Sequence, residues 1–360
     1  MPTPRQMSLP EVLTHQRRAC ARIGSEMYAE IIDVVAADLA ADGPCARLLR
    51  PHEDDPFGSA LVLRFLGAVH WLVLAGRAPQ LAAHYPTAGG TPGPGLARDF
   101  VAAVEALSAE IDERLPLPVQ TNEVGRSAVL VGGYVTAARR GGGRPLRVLE
   151  VGSSAGLNLR WDRYWYDTGA TTFGDPASPL RFVGRWAGTP PRLDGGDAGV
   201  DVTVVERAGC DRSPIDVGTD EGRRLVRSYV WPDQAGRHAR LDAALAVAAD
   251  TPVPLERADL GDWLTERLAT PVPGTTTVVA HSIVWQYVGE SSRRAMRAAL
   301  AAAGEAATPD APVAWLRMEP AGAVADLRLT WWPGGDERVL AYAEYQGDTV
   351  WWGRARPAVS

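Results

Sequence analysis

The chain has 360 residues, of which 46% are hydrophobic and 22% charged, and its formal net charge is −6 at pH 7. This composition is that of a globular protein long enough for two domains, or for one large domain with an appended cap. The acidic balance argues against nucleic acid as the substrate, because nucleic-acid-binding domains carry basic faces.

The cysteines and the hydropathy of the chain indicate the cellular compartment in which the protein works. Cys20, Cys45 and Cys210 are far apart and odd in number, so they form neither a disulfide framework nor a zinc motif. We therefore predict a protein of the reducing cytoplasm without a metal. The most apolar segment, residues 61–76, contains Arg64 and is too short to cross a bilayer of about 30 Å. We predict a buried helix there and no membrane association.

The first part of the chain, to about residue 140, is predicted to be helical. Apolar residues recur there at spacings of three and four, which is the period of an amphipathic helix. Ser25 stands where the N-cap of the first periodic segment is expected. The periodic segments are residues 25–42, 60–76, 96–115 and 125–140. We interpret residues 1–140 as a helical cap or substrate domain.

The pattern changes at GGGRP, residues 141–145. Short β-type runs then alternate with helical segments, which predicts parallel strands joined by crossover helices. The predicted strands are residues 146–151, 200–206, 253–260, 275–284 and 312–319. An antiparallel hairpin is predicted from residues 326–332 and 338–345, with a further strand at 349–353. The fold class is therefore α/β, with a mostly parallel, Rossmann-like sheet in a domain of residues 141–360.

One strand-to-helix turn has the composition of a ligand-binding loop. Glu150 lies near the end of the first predicted strand, and Gly152, Ser154 and Gly156 follow it. Glycines let a backbone turn sharply and approach a ligand closely, and the N-terminus of a following helix offers free N–H groups. The alternative is a tight turn that binds no ligand.

Together with the sheet, this loop resembles the cofactor loop of class I S-adenosylmethionine-dependent methyltransferases, in which an acidic residue and three alternate glycines follow the first strand. The middle glycine is Ser154 here, and its side chain would occupy space that the cofactor needs. The resemblance implies S-adenosylmethionine as cofactor, with Asp211 at the ribose hydroxyls, Glu206 as its rival, and Asp259 near the adenine. Each acid has the alternative of a loop charge or helix cap. The residues implied to face the transferring methyl group are His281, Ser282 and Trp285.

A long insertion, at about residues 160–199, separates this loop from the second predicted strand. The insertion is rich in aromatic residues and arginines, and loops of that length commonly carry function. The alternative is an aromatic flap that packs the helical part onto the sheet.

A second resemblance covers most of the chain. Its segments resemble a mostly actinobacterial family of unknown function, DUF2332, with a methyltransferase-like core. The family has no general assigned activity, so this resemblance implies no reaction. The segments that carry it are residues 120–128, 149–167, 174–180, 205–217 and 281–288.

Polar residues just before the first strand are candidates for the substrate site. Asn122, Glu123 and Arg126 precede a helix that leads into that strand, and ligands of open α/β folds bind at the carboxyl edge of the sheet. Arg126 would bind an anionic group in fork geometry, and Glu123 would act as a base or hold an amine. The alternative is an Arg–Glu pair that joins the two halves of the chain.

Further candidates lie in the insertion and after the fourth predicted strand. Arg160, Asp162 and Arg163 begin the insertion and are candidates for the same pocket, with surface charge as the alternative. Asp162 joins Glu123 as a candidate catalytic carboxylate. His281 is the best candidate for proton transfer, because histidine titrates near neutrality. Its alternative is a core histidine with a satisfied hydrogen bond. We expect Trp285 to contact the substrate.

Three functions follow from these residues. The first is a small-molecule methyltransferase that aligns its acceptor with the sulfonium methyl group and uses Glu123 or His281 as base. The second is a non-methylating enzyme on the same fold, in which Arg126, Arg160 and Arg163 bind an anionic substrate and a carboxylate removes a proton. Such a site promotes elimination or intramolecular ring closure with loss of an anionic leaving group, for example in natural-product biosynthesis with a partner protein.

The third function is a non-enzymatic partner protein. The chain has 12 tryptophans, several of them in the C-terminal strands at 331–332 and 351–352. In this interpretation they form an exposed patch for another subunit or for a second copy of the chain. The alternative is that paired aromatic residues on neighbouring strands pack against each other.

Overall fold

The computed structural model describes residues 7–194 and 201–353, which form two compact units. Unit 1 contains the chain up to Thr121 together with Thr219–Ala239, and unit 2 contains Asn122–Gly218 and the chain from Arg240 onward. The predicted strand at 200–206 and the predicted insertion both extend into residues 195–200, which lie outside the described residues.

Helices and strands alternate in unit 2, and unit 1 is built from helices. The helices are α1 (Leu9–Arg22), α2 (Glu26–Ala40), α3 (Pro44–Leu49), α4 (Leu61–Leu74), α5 (Pro79–Ala82), α6 (Leu96–Ala106), α7 (Ser108–Asp112), α8 (Ser127–Arg140), α9 (Asp220–Ser228), α10 (Ala235–Asp250), α11 (Leu260–Arg267) and α12 (Glu290–Ala306). The strands are β1 (Leu146–Val151), β2 (Trp165–Asp167), β3 (Thr172–Phe173), β4 (Arg181–Val183), β5 (Val204–Asp211), β6 (Leu255–Arg257), β7 (Thr276–Ser282), β8 (Val313–Ala321), β9 (Val324–Trp332), β10 (Asp336–Ala343) and β11 (Val350–Trp352).

A free backbone N–H group at the N-terminus of α2 is hydrogen-bonded to a residue that is distant in the sequence. Ser25 stands at the N-cap, as predicted, but its hydroxyl donates to Asp233 Oδ1 at 2.6 Å and makes no cap bond. Asp233 Oδ2 accepts from the backbone N–H of Met27 at 3.0 Å. The carboxylate of Asp233 therefore does the work expected of Ser25, because the first N–H groups of a helix need an acceptor from outside it.

Helix α4 is the buried helix that its apolar run predicts. Its side chains pack in the core of unit 1, with Phe65 fully buried. His70 is also buried there; its Nδ1–H donates to the Ser228 carbonyl at 3.0 Å, and its Nε2 accepts from the Thr87 hydroxyl at 2.8 Å. Burial lowers the pKa of His70 to about 3, so this imidazole is neutral and structural. In the described part of the chain, no helix has both the length and the apolar character needed to cross a membrane.

Unit 2 is organised by an eight-stranded mixed sheet. The strand order is β11-β10-β9-β8-β7-β1-β5-β6, in which β6, β5, β1, β7 and β8 are parallel. Strands β8 to β11 form an antiparallel meander. The predicted parallel sheet with antiparallel C-terminal strands is thus confirmed at the level of the α/β class. Strand order reverses between β1 and β7, which is where open α/β sheets bind their ligands.

The units do not divide the chain where the sequence predicts. The helical part was expected to end near residue 140, but α8 belongs to unit 2 with the sheet. Two glycines of α8 explain this close packing: a Cβ on Gly132 would lie 2.5 Å from the Trp352 ring, and one on Gly133 would lie 2.4 Å from Leu316. Residues 219–239 join unit 1, where the ring of Tyr229 lies against Gly67 of α4.

The long insertion contains a small sheet of its own, in the order β3-β2-β4. Tyr166 of β2 stacks on Phe182 of β4 with ring centroids 5.2 Å apart. Trp161, just before this sheet, stacks between Tyr134 of α8 at 4.4 Å and Phe173 at 5.5 Å. The aromatic residues of the insertion therefore pack it within unit 2.

The C-terminal tryptophans lie close to helices of the same unit. Trp352 covers Gly132 of α8, and the ring of Trp332 approaches Gly304 of α12. Trp331 is buried. The exposed aromatic patch for a partner or a second copy stays a prediction, and these contacts already account for three of the four tryptophans at 331–332 and 351–352.

The glycine contact of α8 gives a test of this packing. We expect Gly132→Ala to destabilise the protein by roughly 1–3 kcal/mol, because the new methyl group would overlap the Trp352 ring. Gly236→Ala in α10 is the matched control: among the described residues nothing lies within 4 Å of its Cβ, and alanine favours a helix by up to about 1 kcal/mol. Denaturant unfolding would measure both. A Gly132→Ala protein as stable as the control would contradict the close contact.

Candidate functional site

The loop after β1 has the turn that its glycines predict. Gly152 and Gly156 have φ values of 66° and 65°, and Ser154 has a φ of 52°. Left-handed backbone is unusual for a residue other than glycine, and such residues cluster at functional sites and tight turns. Serine at the middle position has therefore not removed the left-handed turn.

The protein's own side chains occupy the approaches to this loop. Asp211, at the end of β5, accepts from the Ser154 N–H at 2.9 Å and from the Ser213 N–H at 2.8 Å. A Cβ on Gly152 would lie 2.3 Å from Val284, and one on Gly156 would lie 2.9 Å from Leu255. The Ser154 amide and the space beside both glycines are thus taken up by the protein's own groups, and S-adenosylmethionine as cofactor stays a prediction.

Glu150, near the end of β1, is a buried acid with an unusual pKa. Its pKa is raised to about 8, chiefly because the group is buried; Arg126 and Arg160 lower it, and the carboxylate of Asp211 raises it. Within the described residues, its Oε2 and the Ser154 hydroxyl are buried without a hydrogen-bond partner. Glu150 is therefore largely protonated at neutral pH and is able to donate a proton.

The residues predicted before α8 contact the backbone of unit 2. Asn122 Oδ1 accepts from the Leu157 N–H at 2.8 Å, and the buried Glu123 carboxylate accepts from the Gly125 N–H at 3.1 Å. Arg126 donates to the carbonyl oxygens of Tyr345 and Ser282, each at 3.1 Å. All three residues belong to unit 2, and the contacts named here are made within that unit.

The candidates at the start of the insertion are held in two different ways. Arg160 is buried and donates to the carbonyl oxygens of Thr251 at 2.7 Å and Gly156 at 2.8 Å. Both oxygens of Asp162 accept from Arg207, at 2.6 and 2.9 Å. Arg163 is half-exposed and lies 3.4 Å from Asp162. Carbonyl contacts and an ion pair are structural interactions, and the shared anion-binding role of Arg126, Arg160 and Arg163 stays a prediction.

Asp259 caps a helix. It is the N-cap of α11, accepts from the Gly261 N–H at 2.9 Å, and accepts from the Ser292 hydroxyl at 2.5 Å. These contacts correspond to the alternative of a helix cap. The role of Asp259 toward an adenine ring stays a prediction.

His281, at the carboxyl end of β7, is held by an acid that the sequence analysis missed. Its Nδ1–H donates to Glu319 Oε1 at 2.7 Å, and its side chain is fully buried. The same Glu319 oxygen accepts from the N–H of Val284 at 3.1 Å and of Trp285 at 3.3 Å. With its proton on Nδ1, the imidazole has a lone pair on Nε2, and this buried atom has no partner in the described part of the chain.

The loop after β7 is strained and aromatic. Ile283 has a φ of 51°, which is unfavourable for a β-branched residue. The turn at Ile283 lets the next two N–H groups reach Glu319 and places the Trp285 ring on His281, with centroids 5.6 Å apart and planes 17° apart. Trp315 of β8 lies 5.9 Å from the same imidazole.

Glu150 and His281 lie on opposite faces of the sheet. Glu150 pairs in register with Ala280, and successive side chains of a strand point to alternate faces. His281, the next residue, therefore faces the other side, together with Glu319, which lies two residues beyond the His281 partner Arg317. The candidates thus form two groups at one edge of the sheet.

Glu319 carried a signal in the sequence. It is the last residue of the predicted strand at 312–319, so it lies at the same edge as His281 if the two strands are neighbours. The pairing of β7 with β8 brings the two together, and no spacing along the chain predicts this pairing. Among the residues with described positions, no group of three or more His, Cys, Asp or Glu side chains forms a metal site.

Comparison with known proteins yields one match. The family described as an uncharacterized protein conserved in bacteria (DUF2332) matches residues 10–352. No curated protein and no solved structure matches the chain. The match covers both units and gives no activity.

The raised pKa of Glu150 predicts a pH-dependent stability. The unfolded chain loses the Glu150 proton near pH 4.5, but the folded protein keeps it to about pH 8. The free energy of unfolding should therefore fall as the pH rises through this window. Glutamine does not titrate, so the stability of Glu150→Gln relative to wild type should rise across the window, by on the order of 5 kcal/mol.

Urea unfolding at several pH values measures this difference. Glu266→Gln, which changes an exposed residue of α11, is the control and should follow the wild-type pH dependence. If Glu150→Gln and wild type had the same pH dependence, Glu150 would not be a buried protonated acid.

Proposed function

This chain belongs to the DUF2332 family of uncharacterised bacterial proteins, and we propose that it is an enzyme that transfers a proton on a small, anionic molecule, with His281 as the acid–base group. The observation that carries the proposal is the geometry of one buried imidazole. His281 Nδ1 is bound to Glu319 at 2.7 Å, and among described atoms Nε2 has no partner.

The contacts of Glu319 support a base rather than a packed core histidine. A carboxylate on Nδ1 fixes the tautomer, orients the ring and stabilises the imidazolium that forms when Nε2 takes a proton. Glu319 is itself fixed by two backbone N–H groups. A core histidine such as His70 has both ring nitrogens hydrogen-bonded, whereas the described surroundings of His281 satisfy one.

Of the three catalytic candidates, His281 keeps the most suitable reactive atom. Asp162 is in a two-bonded ion pair with Arg207, and Glu123 accepts from a backbone N–H. An acid that is already paired is a weaker base, because its charge is stabilised where it stands. We therefore assign proton transfer to His281 and support of the surrounding backbone to the other two.

The reaction class that suits a single base without a paired nucleophile is removal of a proton with departure of an anion. His281 would take a proton from C–H or N–H, and the electron pair released would form a double bond or close a ring as the leaving group departs. This is the non-methylating alternative of elimination or intramolecular ring closure. Natural-product biosynthesis in the cytoplasm, with or without a partner protein, is a setting that suits such chemistry.

Methyl transfer from S-adenosylmethionine is the second candidate. It is favoured by the left-handed turn at Gly152, Ser154 and Gly156, and by the acids Glu150 and Asp211, which lie near the ends of β1 and β5 in the order of a methyltransferase-like core. Against it stand the side chains that fill the loop. We therefore rank it below acid–base chemistry.

A proton-transfer activity can be sought without knowing the substrate. The protein would be incubated in D₂O with pools of small carboxylates, phosphate esters and sulfate esters, and mass spectrometry would record deuterium uptake or anion release. We expect turnover by wild type, a loss of about 100-fold or more in His281→Gln, and a smaller loss of about tenfold in Glu319→Gln. His15→Gln, an exposed histidine of α1, should keep wild-type activity. Turnover that survives in His281→Gln would refute the proposal.

Calorimetric titration decides between the two candidates. We expect S-adenosylmethionine and S-adenosylhomocysteine to give no binding heat with wild type, because Val284, Leu255 and Asp211 fill the loop. Asp211→Ala, checked for folding by circular dichroism, should likewise give none. Micromolar binding to wild type that is lost in Asp211→Ala would restore methyl transfer as the first candidate.

A further inference from the structure

Three buried nitrogen atoms without partners converge on one side chain, Trp285. They are His281 Nε2, Arg293 Nε and Trp315 Nε1, and each is buried with no hydrogen-bond partner among the residues that the structure describes. Buried polar atoms are nearly always satisfied in folded proteins, so a cluster of unsatisfied ones calls for a ligand or a bound molecule.

The contacts of Trp285 show that the three side chains carrying these atoms lie around one tryptophan. Its ring lies 5.6 Å from the imidazole of His281 and 6.2 Å from the ring of Trp315, between centroids. The guanidinium of Arg293 lies 5.6 Å over the same ring, and its terminal nitrogen donates to the Trp285 carbonyl at 2.8 Å. His281 and Trp315 lie 5.9 Å apart. All four residues belong to unit 2.

The hydrogen-bonding capacities of the three atoms define a ligand. Arg293 Nε and Trp315 Nε1 are N–H donors, and His281 Nε2 is an acceptor once Glu319 holds the Nδ1 proton. Two donors and a cation suit the oxygens of an anion, and the acceptor suits a hydrogen that the same molecule carries. We propose that these residues form the substrate subsite for an oxyanion, a carboxylate or phosphoryl group, in a molecule whose acidic hydrogen faces His281.

The charge around Trp285 agrees with this ligand. Arg297, one turn beyond Arg293 on α12, lies 5.1 Å over the same ring. Both guanidinium groups therefore lie within reach of an anion that binds beside Trp285, and a guanidinium is the side chain that most often binds carboxylate and phosphate. The anion-binding role expected of Arg126, Arg160 and Arg163 moves in this proposal to Arg293.

Trp285 is the cover of the subsite. Its ring is half-buried and lies on the imidazole, whereas Tyr287, two residues later, is 58% exposed. A ligand reaches His281 Nε2 when the Trp285 ring moves aside. This ring belongs to the short helical turn Trp285–Tyr287 at the edge of the sheet. The tryptophan thereby excludes water from the base when no ligand is bound.

This inference rests on the proposed function for the identity of the base, but binding can be tested without turnover. Nitrogen NMR of the protein labelled with ¹⁵N-histidine reports each of the six histidines, and the His281 signals are those missing in His281→Gln. We expect inorganic phosphate or acetate to shift the Nε2 signal of His281 saturably, and chloride at the same ionic strength to leave it in place. A response to phosphate alone would identify a phosphoryl group, and a response to acetate alone a carboxylate.

Arg293 is tested by a matched pair on one helix turn. Arg293→Gln should weaken the apparent affinity for the oxyanion by about tenfold or more, and Arg293→Lys should recover part of it. Arg294→Gln changes an exposed neighbour and should leave the affinity unchanged. Absence of a saturable shift with either oxyanion, or an Arg293→Gln protein that binds as wild type does, would overturn the subsite.

The two proposals fail in different ways. The oxyanion subsite is supported if the oxyanion shifts the Nε2 NMR signal of His281 and this shift depends on Arg293. That result holds even if His281→Gln keeps the deuterium exchange activity, which would refute only the proposed proton transfer. If His281 is required for exchange but the oxyanion causes no shift, the base stands and the subsite is wrong.

Discussion

The carboxylate of Glu319 is the interaction on which the rest of the site depends. It receives the Nδ1–H of His281 and the N–H groups of Val284 and Trp285, so it ties strand β8 to the loop after β7. Because the loop is fixed there, the Val284 side chain lies against Gly152 and the Trp285 ring lies on the imidazole. One acid near the end of one strand therefore sets both the orientation of the base and the closed state of the neighbouring loop. The left-handed Ile283 is the conformational cost of this arrangement.

The two acid–base groups of the site are separated by the sheet itself. Glu150 faces the side on which Asp211 lies, and His281 faces the side on which α12 packs. A parallel strand presents alternate residues to alternate faces, so two polar groups on neighbouring strands at one edge need not share a pocket. Burial raises the pKa of Glu150, whereas Glu319 orients the His281 imidazole, whose Nε2 has no partner among the described residues. This difference in environment is the reason why the proposed proton transfer is placed on His281 and not on Glu150.

The periodic apolar segments predicted most of the strands and helices, because burial of one helix face or of a whole parallel strand leaves a direct mark on the sequence. The site was harder to predict. The sequence suggested an anion site at Arg126, Arg160 and Arg163. In the structure the guanidinium groups of Arg126 and Arg160 donate to backbone carbonyl oxygens, and such contacts cannot be predicted from residue types. The contact of Glu319 with His281 depends on the pairing of β7 with β8, and the sequence alone does not predict which strands are neighbours. The compact units place α8 with the sheet, where Gly132 and Gly133 allow close packing that a helical period does not reveal.

The discontinuity of unit 1 has a consequence for biosynthesis. Its helices up to Thr121 leave the ribosome first, but its last part, residues 219–239, emerges only after β1 to β5 of unit 2 have been made. Domains fold as units during synthesis, so the earlier helices must wait, with core surface still uncovered, for about one hundred further residues. The Ser25–Asp233 contact closes only then. An N-terminal fragment cut at residue 121 would lack α9 and this contact.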